Sequence, residues 1–181
     1  MRSILCFVRK RNRLESMKAE NVLYTQMTKI RIATKNDLET LLEFEQKLIA
    51  HERPHDSTLK QTGKIHYYDL PMLMESDNSE VFVADLKGEI AGTGYGVIED
   101  NKSKYAEPKY GYIGFIVVKD EFRRQGIGDK ILKHLLKWFK ERDVFEAMLK
   151  VYDTNEGAVN LYEKLGFEKG LVEMKINLRE E

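Results

Sequence analysis

The clearest pattern of hydrophobic and polar positions lies between residues 110 and 139. Residues 110–118 are apolar or aromatic without any charge, which is typical of a strand that is covered on both faces. After a polar turn, apolar side chains recur at helical spacing, at Ile127, Ile131, Leu132, Leu135, Leu136 and Phe139. The pattern therefore predicts a strand, a turn and an amphipathic helix that begins near Gly126.

Shorter patterns predict the elements that come before this unit. Apolar alternation just after Met27 indicates a first strand, and Thr34 with Asp37 forms an acidic variant of the capping box that begins a helix. Residues 81–86 and 89–99 are two apolar runs separated by Lys-Gly, which is the pattern of a β-hairpin.

The end of the chain predicts a strand, a helix and a last sheet segment. Residues 146–151 form a strand, and Asp153 with Glu156 caps a helix that Gly166 closes. Residues 167–178 alternate loosely, as a final strand or strand pair would.

Two features depart from these simple patterns. Glu45 falls on the apolar stripe of the first helix, so it either lines a cleft or lies at the edge of the stripe, and the edge is the commoner outcome. Three glycines share one face of the second hairpin strand and indicate a bulge or the close approach of a backbone or ligand: Gly92, Gly94 and Gly96.

Composition is that of a single soluble domain. The chain has 181 residues, 42% of them hydrophobic and 33% charged. The single cysteine, Cys6, excludes a disulfide framework and a cysteine-based metal site within one chain. The apolar run at residues 4–8 is too short to span a membrane or to serve as a secretory signal, so we expect a cytoplasmic protein without a membrane partner.

Charge is unevenly distributed although the net charge is zero. Residues 1–26 hold six Lys/Arg and two Glu, and they show no sustained period. They are either a nucleic-acid or membrane arm or, as we favour, a disordered or helical extension of a domain at residues 27–181. Zero net charge and the lack of a nucleic-acid recognition motif argue against a nucleic-acid partner.

Residues 51–56 collect His51, Glu52, His55 and Asp56, which are all metal-ligating residue types. The two histidines flank Pro54, which ends the helix, so they lack the helical arrangement of strong zinc motifs. We expect no metal here. We expect instead a loop and a second helix, continuing to about residue 77, that border a substrate cleft.

The turn at residues 119–128 reads K-D-E-F-R-R-Q-G-I-G and predicts an anion site. N–H groups at a helix start lack intrahelical partners, and the glycines let an anion approach them beside Arg123 and Arg124. The pattern fits neither common nucleotide loop, but Arg123, Gly126 and Gly128 satisfy R/Q-x-x-G-x-G/A. A pyrophosphate is the favoured anion, and a turn without any ligand is the alternative.

A second motif, N-x-x-A-x-x-x-Y-x-x-x-G-F, is matched by Asn155, Ala158, Tyr162, Gly166 and Phe167. With both motifs, residues 27–178 resemble the GNAT superfamily of acyl-CoA-dependent N-acyltransferases. The resemblance implies an α+β fold whose mixed, mostly antiparallel sheet has six or seven strands and helices on both faces. It implies acetyl-CoA as co-substrate and no metal.

The resemblance also implies roles for individual residues. The strand backbone at Ile116, Val117 and Val118 would pair with the pantetheine arm, and Asn155 would contact the cofactor from the other side. Tyr162 would protonate the leaving thiolate. The backbone N–H groups of Gln125, Gly126, Ile127 and Gly128 would bind the pyrophosphate, with Arg123 and Arg124 as flanking cations.

The function implied is acetyl transfer to a primary amine of a small molecule or of a protein, by direct attack in a ternary complex. The alternative is a non-catalytic module that binds or senses acyl-CoA with the same fold. Residues 110–118 carry no acid, where some members of the family place a glutamate, so the general base stays open among Glu45, Glu52, Asp69 and Glu99. The sequence also leaves open the acceptor and whether the chain forms a homodimer.

Overall fold

The computed structural model describes residues 27–176 and residue 178. The predictions for residues 1–26 lie outside these residues and stay predictions. The chain divides between Lys150 and Val151 into two compact units, and each is described by itself.

The first unit contains a five-stranded sheet in the order β1-β2-β3-β4-β5. Its first three pairings are antiparallel and the β4–β5 pairing is parallel, which confirms the predicted mixed, mostly antiparallel sheet. The β2–β3 hairpin is confirmed as well. The strands are β1 at Lys29–Ile32, β2 at Ser79–Leu86, β3 at Glu89–Asp100, β4 at Lys109–Val118 and β5 at Ala147–Leu149.

The predicted number of six or seven strands is wrong for the described residues, because residues 167–176 form no strand. The apolar side chains of residues 171–176 are exposed, with Val172 at 79% and Met174 at 91%. Alternation in a sequence defines the two faces of a strand, but a strand also needs a neighbour to complete its hydrogen bonds. Among the described residues this segment lacks such a neighbour.

The described residues of the first unit form three α-helices: α1 at Leu38–Glu52, α2 at Leu70–Glu75 and α3 at Ile127–Lys140. The predicted start of α3 near Gly126 is confirmed. The helix predicted to continue to about residue 77 is only the short α2. A 3-10 turn, Arg53–His55, follows α1 and contains the proline that ends it.

The predicted capping box before α1 is confirmed. The N–H and hydroxyl of Thr34 both donate to Oδ2 of Asp37, at 2.7 and 2.9 Å. Arg31 on β1 donates twice to the same carboxylate, each time at 2.8 Å, and this pairing holds the pKa of Asp37 well below its usual range. The cap therefore also ties α1 to the edge strand of the sheet.

Helix α3 covers the glycine face of the sheet. A Cβ on Gly92 would lie 2.8 Å from the carbonyl oxygen of Val117, and one on Gly96 would lie 2.8 Å from the Phe139 ring. On Gly111 of β4 it would lie 2.5 Å from the same ring. Small residues therefore let α3 pack close to the sheet, which confirms the predicted close approach.

The opposite face of the sheet packs against α1. Successive residues of a strand point to opposite faces, so Tyr95 points away from the glycines beside it. It belongs to a buried cluster that joins α1 to the sheet and includes Leu41, Phe44, Val81, Val83, Phe115 and Val117. Helices therefore cover both faces, as predicted.

Candidate active site

Strand β4 contains a β-bulge near its carboxyl end. Its pairing with β3 shifts between Gly114 and Val117, so that two residues, Phe115 and Ile116, lie opposite the single residue Gly94. Phe115 has a left-handed backbone with φ of 58°, an uncommon conformation for a bulky residue, and its ring is buried. No pattern within residues 110–118 predicted this bulge in β4.

The bulge lies in the part of β4 that β5 does not cover. In the first unit, β5 pairs only with residues 111–113. Residues 114–118 of β4 therefore have no ladder partner in β5, and an exposed strand edge can bind an extended chain through its N–H and C=O groups. The predicted cofactor residues Ile116, Val117 and Val118 lie in this segment. The side chain of Val117 is buried, and the other two are half-buried.

The turn after β4 leads directly into the N-terminus of α3. The 3-10 turn Asp120–Phe122 is followed by left-handed backbone at Arg124 and Gly126, with φ of 60° and 77°. α3 then begins at Ile127 without a side-chain cap from Gly126. Because the first N–H groups of a helix lack intrahelical partners, this helix start can bind an anion.

Two of the charged side chains of this turn form an ion pair. Arg123 lies 2.9 Å from the carboxylate of Asp120 and donates to the carbonyl oxygen of Val118 at 3.3 Å. Arg124 is exposed. Arg123 therefore fixes the shape of the turn as well as supplying charge, and Arg124 supplies a second exposed cation.

A group of aromatic rings lies on the α1 side of β4. The ring of Tyr68 is 5.3 Å from that of Tyr95 and 5.1 Å from that of Phe115, between centroids. Tyr67 lies 5.9 Å from Tyr68, and Tyr112 lies 6.5 Å from Tyr95. These five residues form an aromatic wall beside the uncovered part of β4.

Glu52, the last residue of α1, lies close to this wall. Burial raises the pKa of its carboxyl group above the ordinary glutamate value, and interaction with the Tyr67 hydroxyl opposes part of that rise. Burial and the Glu52 charge together raise the pKa of Tyr67 to about 12. No well-formed hydrogen bond reaches the Tyr67 hydroxyl within the described residues, so the two groups are neighbours without a direct bond.

The other carboxylates that the sequence offered as bases are occupied elsewhere. Glu45 is fully buried, so the prediction that it lines a cleft or the edge of the stripe is wrong. Asp69 caps α2 by accepting from the N–H of Met72 at 3.0 Å. Glu99 is exposed and accepts a hydrogen bond from Tyr110. Glu52 is therefore the candidate that combines partial burial with a raised pKa.

The second unit contains α4 at Glu156–Lys164, and Asn155 is its N-cap. The side-chain oxygen of Asn155 accepts from the N–H of Ala158 at 3.3 Å. The prediction that Asp153 caps this helix is wrong. Asn and Asp are equally favoured at the N-cap position, and this helix begins after Asn155 and not after Asp153.

Tyr162 lies in the last turns of α4 and is half-buried. Its ring meets that of Phe167 edge to face, with centroids 6.0 Å apart. Gly166 has a φ of 92° and ends the helix as predicted. The roles expected for Asn155 and Tyr162 toward a cofactor stay predictions.

In residues 27–176 no three or more His, Cys, Asp or Glu side chains are grouped so that they could hold a metal ion. His51 and His55 instead meet edge to face with ring centroids 5.6 Å apart. None of the helices in the same residues combines the length and apolar character that crossing a bilayer requires.

A model of the acetyltransferase (GNAT) family matches residues 40–167, which is most of the chain. This chain belongs to that family. The match includes both motifs, the bulged strand, the turn before α3 and Glu52, and it confirms the resemblance found in the sequence.

Several curated relatives of this GNAT chain are named N-alpha-acetyltransferases. The protein of Sulfolobus acidocaldarius is 28% identical over 145 residues, covering 77% of this chain and 79% of the relative. N-alpha-acetyltransferase 30 of Dictyostelium discoideum is 38% identical over 88 residues, 49% of this chain and 45% of the relative. The protein of Sulfurisphaera tokodaii is 33% identical over 57% of this chain and 65% of its own length. The chain thus spans less than two thirds of the last two relatives.

Solved structures share the GNAT fold at low sequence identity. A Bacillus halodurans protein has a TM-score of 0.76 with 21% identity, covering 83% of this chain and 99% of the other. A predicted acetyltransferase of Clostridium acetobutylicum, solved with acetyl-CoA, has a TM-score of 0.64 with 19% identity, covering 86% of this chain and 99% of the other. At these identities the likeness supports the fold alone.

Proposed function

We propose that this GNAT chain is an acetyl-CoA-dependent N-acetyltransferase that acts on a primary amine, with the α-amine of a protein or peptide as the favoured acceptor. The observation that carries the proposal is the uncapped N-terminus of α3 directly after the uncovered part of β4. An anion-binding helix start and an unpaired strand edge suit the two polar parts of a CoA ester, its pyrophosphate and its amide-containing arm.

The residues of the turn fit a CoA ester as follows. The backbone at Gln125, Gly126, Ile127 and Gly128 binds the pyrophosphate, with Arg123 and Arg124 as flanking cations. The backbone of Ile116, Val117 and Val118 binds the pantetheine arm, and Asn155 contacts the cofactor. Acetyl-CoA supplies an acetyl group activated as a thioester. No metal takes part in this proposal.

Two further side chains, Glu52 and Tyr162, transfer protons in this proposal. Glu52 accepts the proton of the acceptor ammonium group, because a base with a raised pKa is better matched to neutral pH. Tyr162 donates a proton to the leaving thiolate. The aromatic wall borders the acceptor on the α1 side of β4, where the face of a tyrosine ring also attracts a cationic group.

The favoured acceptor follows from acidity as well as from the names of the relatives. An α-amino group has a pKa of about 7.7–8.0, so roughly one molecule in ten is neutral at pH 7. A lysine amine, with a pKa of about 10.4, is neutral in only about one molecule in 10³ or fewer. A smaller fraction of an α-amine than of a lysine amine therefore has to be deprotonated by a carboxylate base such as Glu52. Relatives named N-alpha-acetyltransferases are consistent with this choice.

The alternative is a module that binds acyl-CoA without chemistry. A direct test supplies acetyl-CoA together with peptides that have a free N-terminus, peptides with a blocked N-terminus and an internal lysine, and small amines. Thiol release is measured, and mass spectrometry locates the acetyl group. Transfer to the free N-terminus supports the proposal, and transfer only to lysine or small amines overturns the favoured acceptor. Binding of acetyl-CoA without transfer to any amine favours the alternative.

A further inference from the structure

Glu45 is a fully buried carboxylate in the middle of α1, beside the core residue Phe44. Removing a charge from water is costly unless hydrogen bonds or an opposite charge compensate it. An aliphatic side chain at this position would continue the apolar stripe of the helix without that cost. The hydrogen bonds of Glu45 indicate what the carboxylate contributes instead.

Among the described residues, the hydrogen bonds of the Glu45 carboxylate go to one short segment before α2. One carboxylate oxygen accepts from two successive backbone N–H groups, those of Tyr67 at 2.7 Å and Tyr68 at 3.0 Å. The other oxygen lies 2.7 Å from Nδ1 of His66. A charged acceptor makes shorter and stronger hydrogen bonds than a neutral one, and two adjacent N–H groups on one oxygen fix the local direction of the backbone.

The neighbouring residue of α1 holds the same segment. Gln46 donates from its side-chain nitrogen to the carbonyl oxygen of Ile65 at 2.9 Å. Four successive residues, 65–68, are therefore attached to two successive residues of α1. We call residues 65–68 the tyrosine segment.

The tyrosine segment supplies part of the aromatic wall. Tyr68 contacts the rings of Tyr95 and Phe115, which are on the two strands that meet at the bulge. Tyr67 lies next to the Glu52 carboxylate. The backbone direction that Glu45 imposes therefore determines where both tyrosine rings lie relative to β4 and Glu52.

We propose that Glu45 is a positioning residue that attaches the tyrosine segment to α1 and so shapes the acceptor side of the site. This inference rests on the proposed function, because it assumes that the acceptor binds beside the aromatic wall. Glu45 itself does not touch the acceptor, since its side chain has no exposed surface.

The test compares three variants in steady-state transfer to a peptide with a free N-terminus. Glu45→Leu removes every acceptor but keeps similar volume, and it should raise the KM for the peptide by about 10-fold or more, since small misplacements of binding groups are costly. The KM for acetyl-CoA should stay within about twofold. Glu45→Gln keeps one oxygen for the two N–H groups, so its KM for the peptide should stay much closer to the wild-type value. Ile49→Val, at a buried position of the same helix, is the control for lost packing and should change neither KM.

Amide hydrogen exchange provides a readout that does not depend on activity. In the wild-type chain the amides of Tyr67 and Tyr68 should exchange more slowly than that of Gly63 in the preceding loop. Glu45→Leu should abolish this protection, and Ile49→Val should keep it. If Glu45→Leu does not fold, Glu45→Asp, which withdraws the carboxylate by one methylene, takes its place with the same expectations.

The outcomes separate this inference from the proposed function. Unprotected amides at Tyr67 and Tyr68 in the wild type, or an unchanged peptide KM when the protection is lost, overturn the positioning role. An equal rise in both KM values also overturns it, because that result indicates general damage. If the wild type transfers no acetyl group to any amine while the amides are protected, the proposed function fails, and with it the acceptor role, whereas the attachment of the segment stands.

Discussion

Gly94 on β3 lies directly against Ile116 on β4, and a Cβ on Gly94 would overlap the Cδ1 atom of Ile116. The same Cβ would lie 2.9 Å from Cγ2 of Ile131 on α3. The bulge therefore turns the Ile116 side chain toward α3 and over Gly94, one of the three glycines on this face of β3. The shape of the uncovered part of β4 depends on this glycine.

Gly94→Ala should destabilise the fold by about 1–3 kcal/mol, because the added methyl group overpacks the space between β3, β4 and α3. Urea unfolding measures the change in the free energy of unfolding. Gly170→Ala is the matched control, since a Cβ there meets no atom within 4 Å. A free energy unchanged in Gly94→Ala would contradict this account of the bulge.

Glu52→Gln should lower kcat/KM for the acceptor by about 10²–10⁴-fold, the usual contribution of a general base. In the wild type kcat/KM should fall at acid pH with a pKa above the ordinary glutamate value, because burial raises the pKa of this carboxyl group. The variant should lack this acid limb. Glu43→Gln, at an exposed position of the same helix, is the control and should behave as the wild type does.

The same shift predicts the effect of Glu52 on stability. Because the pKa of its carboxyl group is raised in the folded state, the folded chain binds a proton more tightly than the unfolded chain does. The free energy of unfolding should therefore fall as the pH rises from the ordinary glutamate pKa through the raised one. At pH 7 Glu52→Gln should melt at the same temperature as the wild type or higher. A clear loss of melting temperature would indicate a structural role for Glu52.

Gly126→Asp should weaken CoA binding, because it places a carboxylate at the helix start that is proposed to bind the pyrophosphate. Gly126 has a φ of 77°, so any side chain there also strains the backbone. Gly126→Asn is the matched control, since Asn has the same size and a similar tolerance of this conformation but no charge. Calorimetry should give a lower CoA affinity for the Asp variant than for the Asn variant. Equal affinities would contradict the placement of the pyrophosphate.

Tyr162→Phe should lower turnover by about 10²–10⁴-fold if the hydroxyl protonates the leaving thiolate. CoA affinity should change little, because the interaction strengthens as charge develops on sulfur. The ring, and with it the contact with Phe167, is retained. Turnover near the wild-type value, at saturating acetyl-CoA and with chemistry rate-limiting, would show that another acid supplies the proton or that the thiolate leaves directly into solvent.

A chain that begins at Met27 should keep the melting temperature and CoA affinity of the full chain. The expectation comes from the sequence, because residues 1–26 lack a sustained period and a strand begins soon after Met27. Thermal unfolding and calorimetry on both chains test it. A large loss in either quantity would show that residues 1–26 contribute to the fold.

Local sequence patterns determined several elements of this protein. The apolar period of α3, the Thr34–Asp37 cap and the Lys-Gly turn of the hairpin were each predicted and confirmed. Each depends on residues a few positions apart, so the chain needs no distant partner to specify it. The helix start at Gly126 belongs to the same class, and for that reason the anion site could be proposed from the sequence.

Tertiary structure decided the features that depend on distant residues. The sequence pattern favoured an edge position for Glu45, but the structure buries it. Its burial could not be predicted, because its three hydrogen-bond partners lie 21 to 23 positions away in the chain. The sequence offered four carboxylates as the general base, and only the structure distinguished Glu52, because burial raises the pKa of its carboxyl group. The bulge at Phe115 required the register between two strands. Residues 167–176 alternate as a strand does, yet strand formation needs hydrogen bonds from a neighbour, and no pattern within the segment specifies that neighbour.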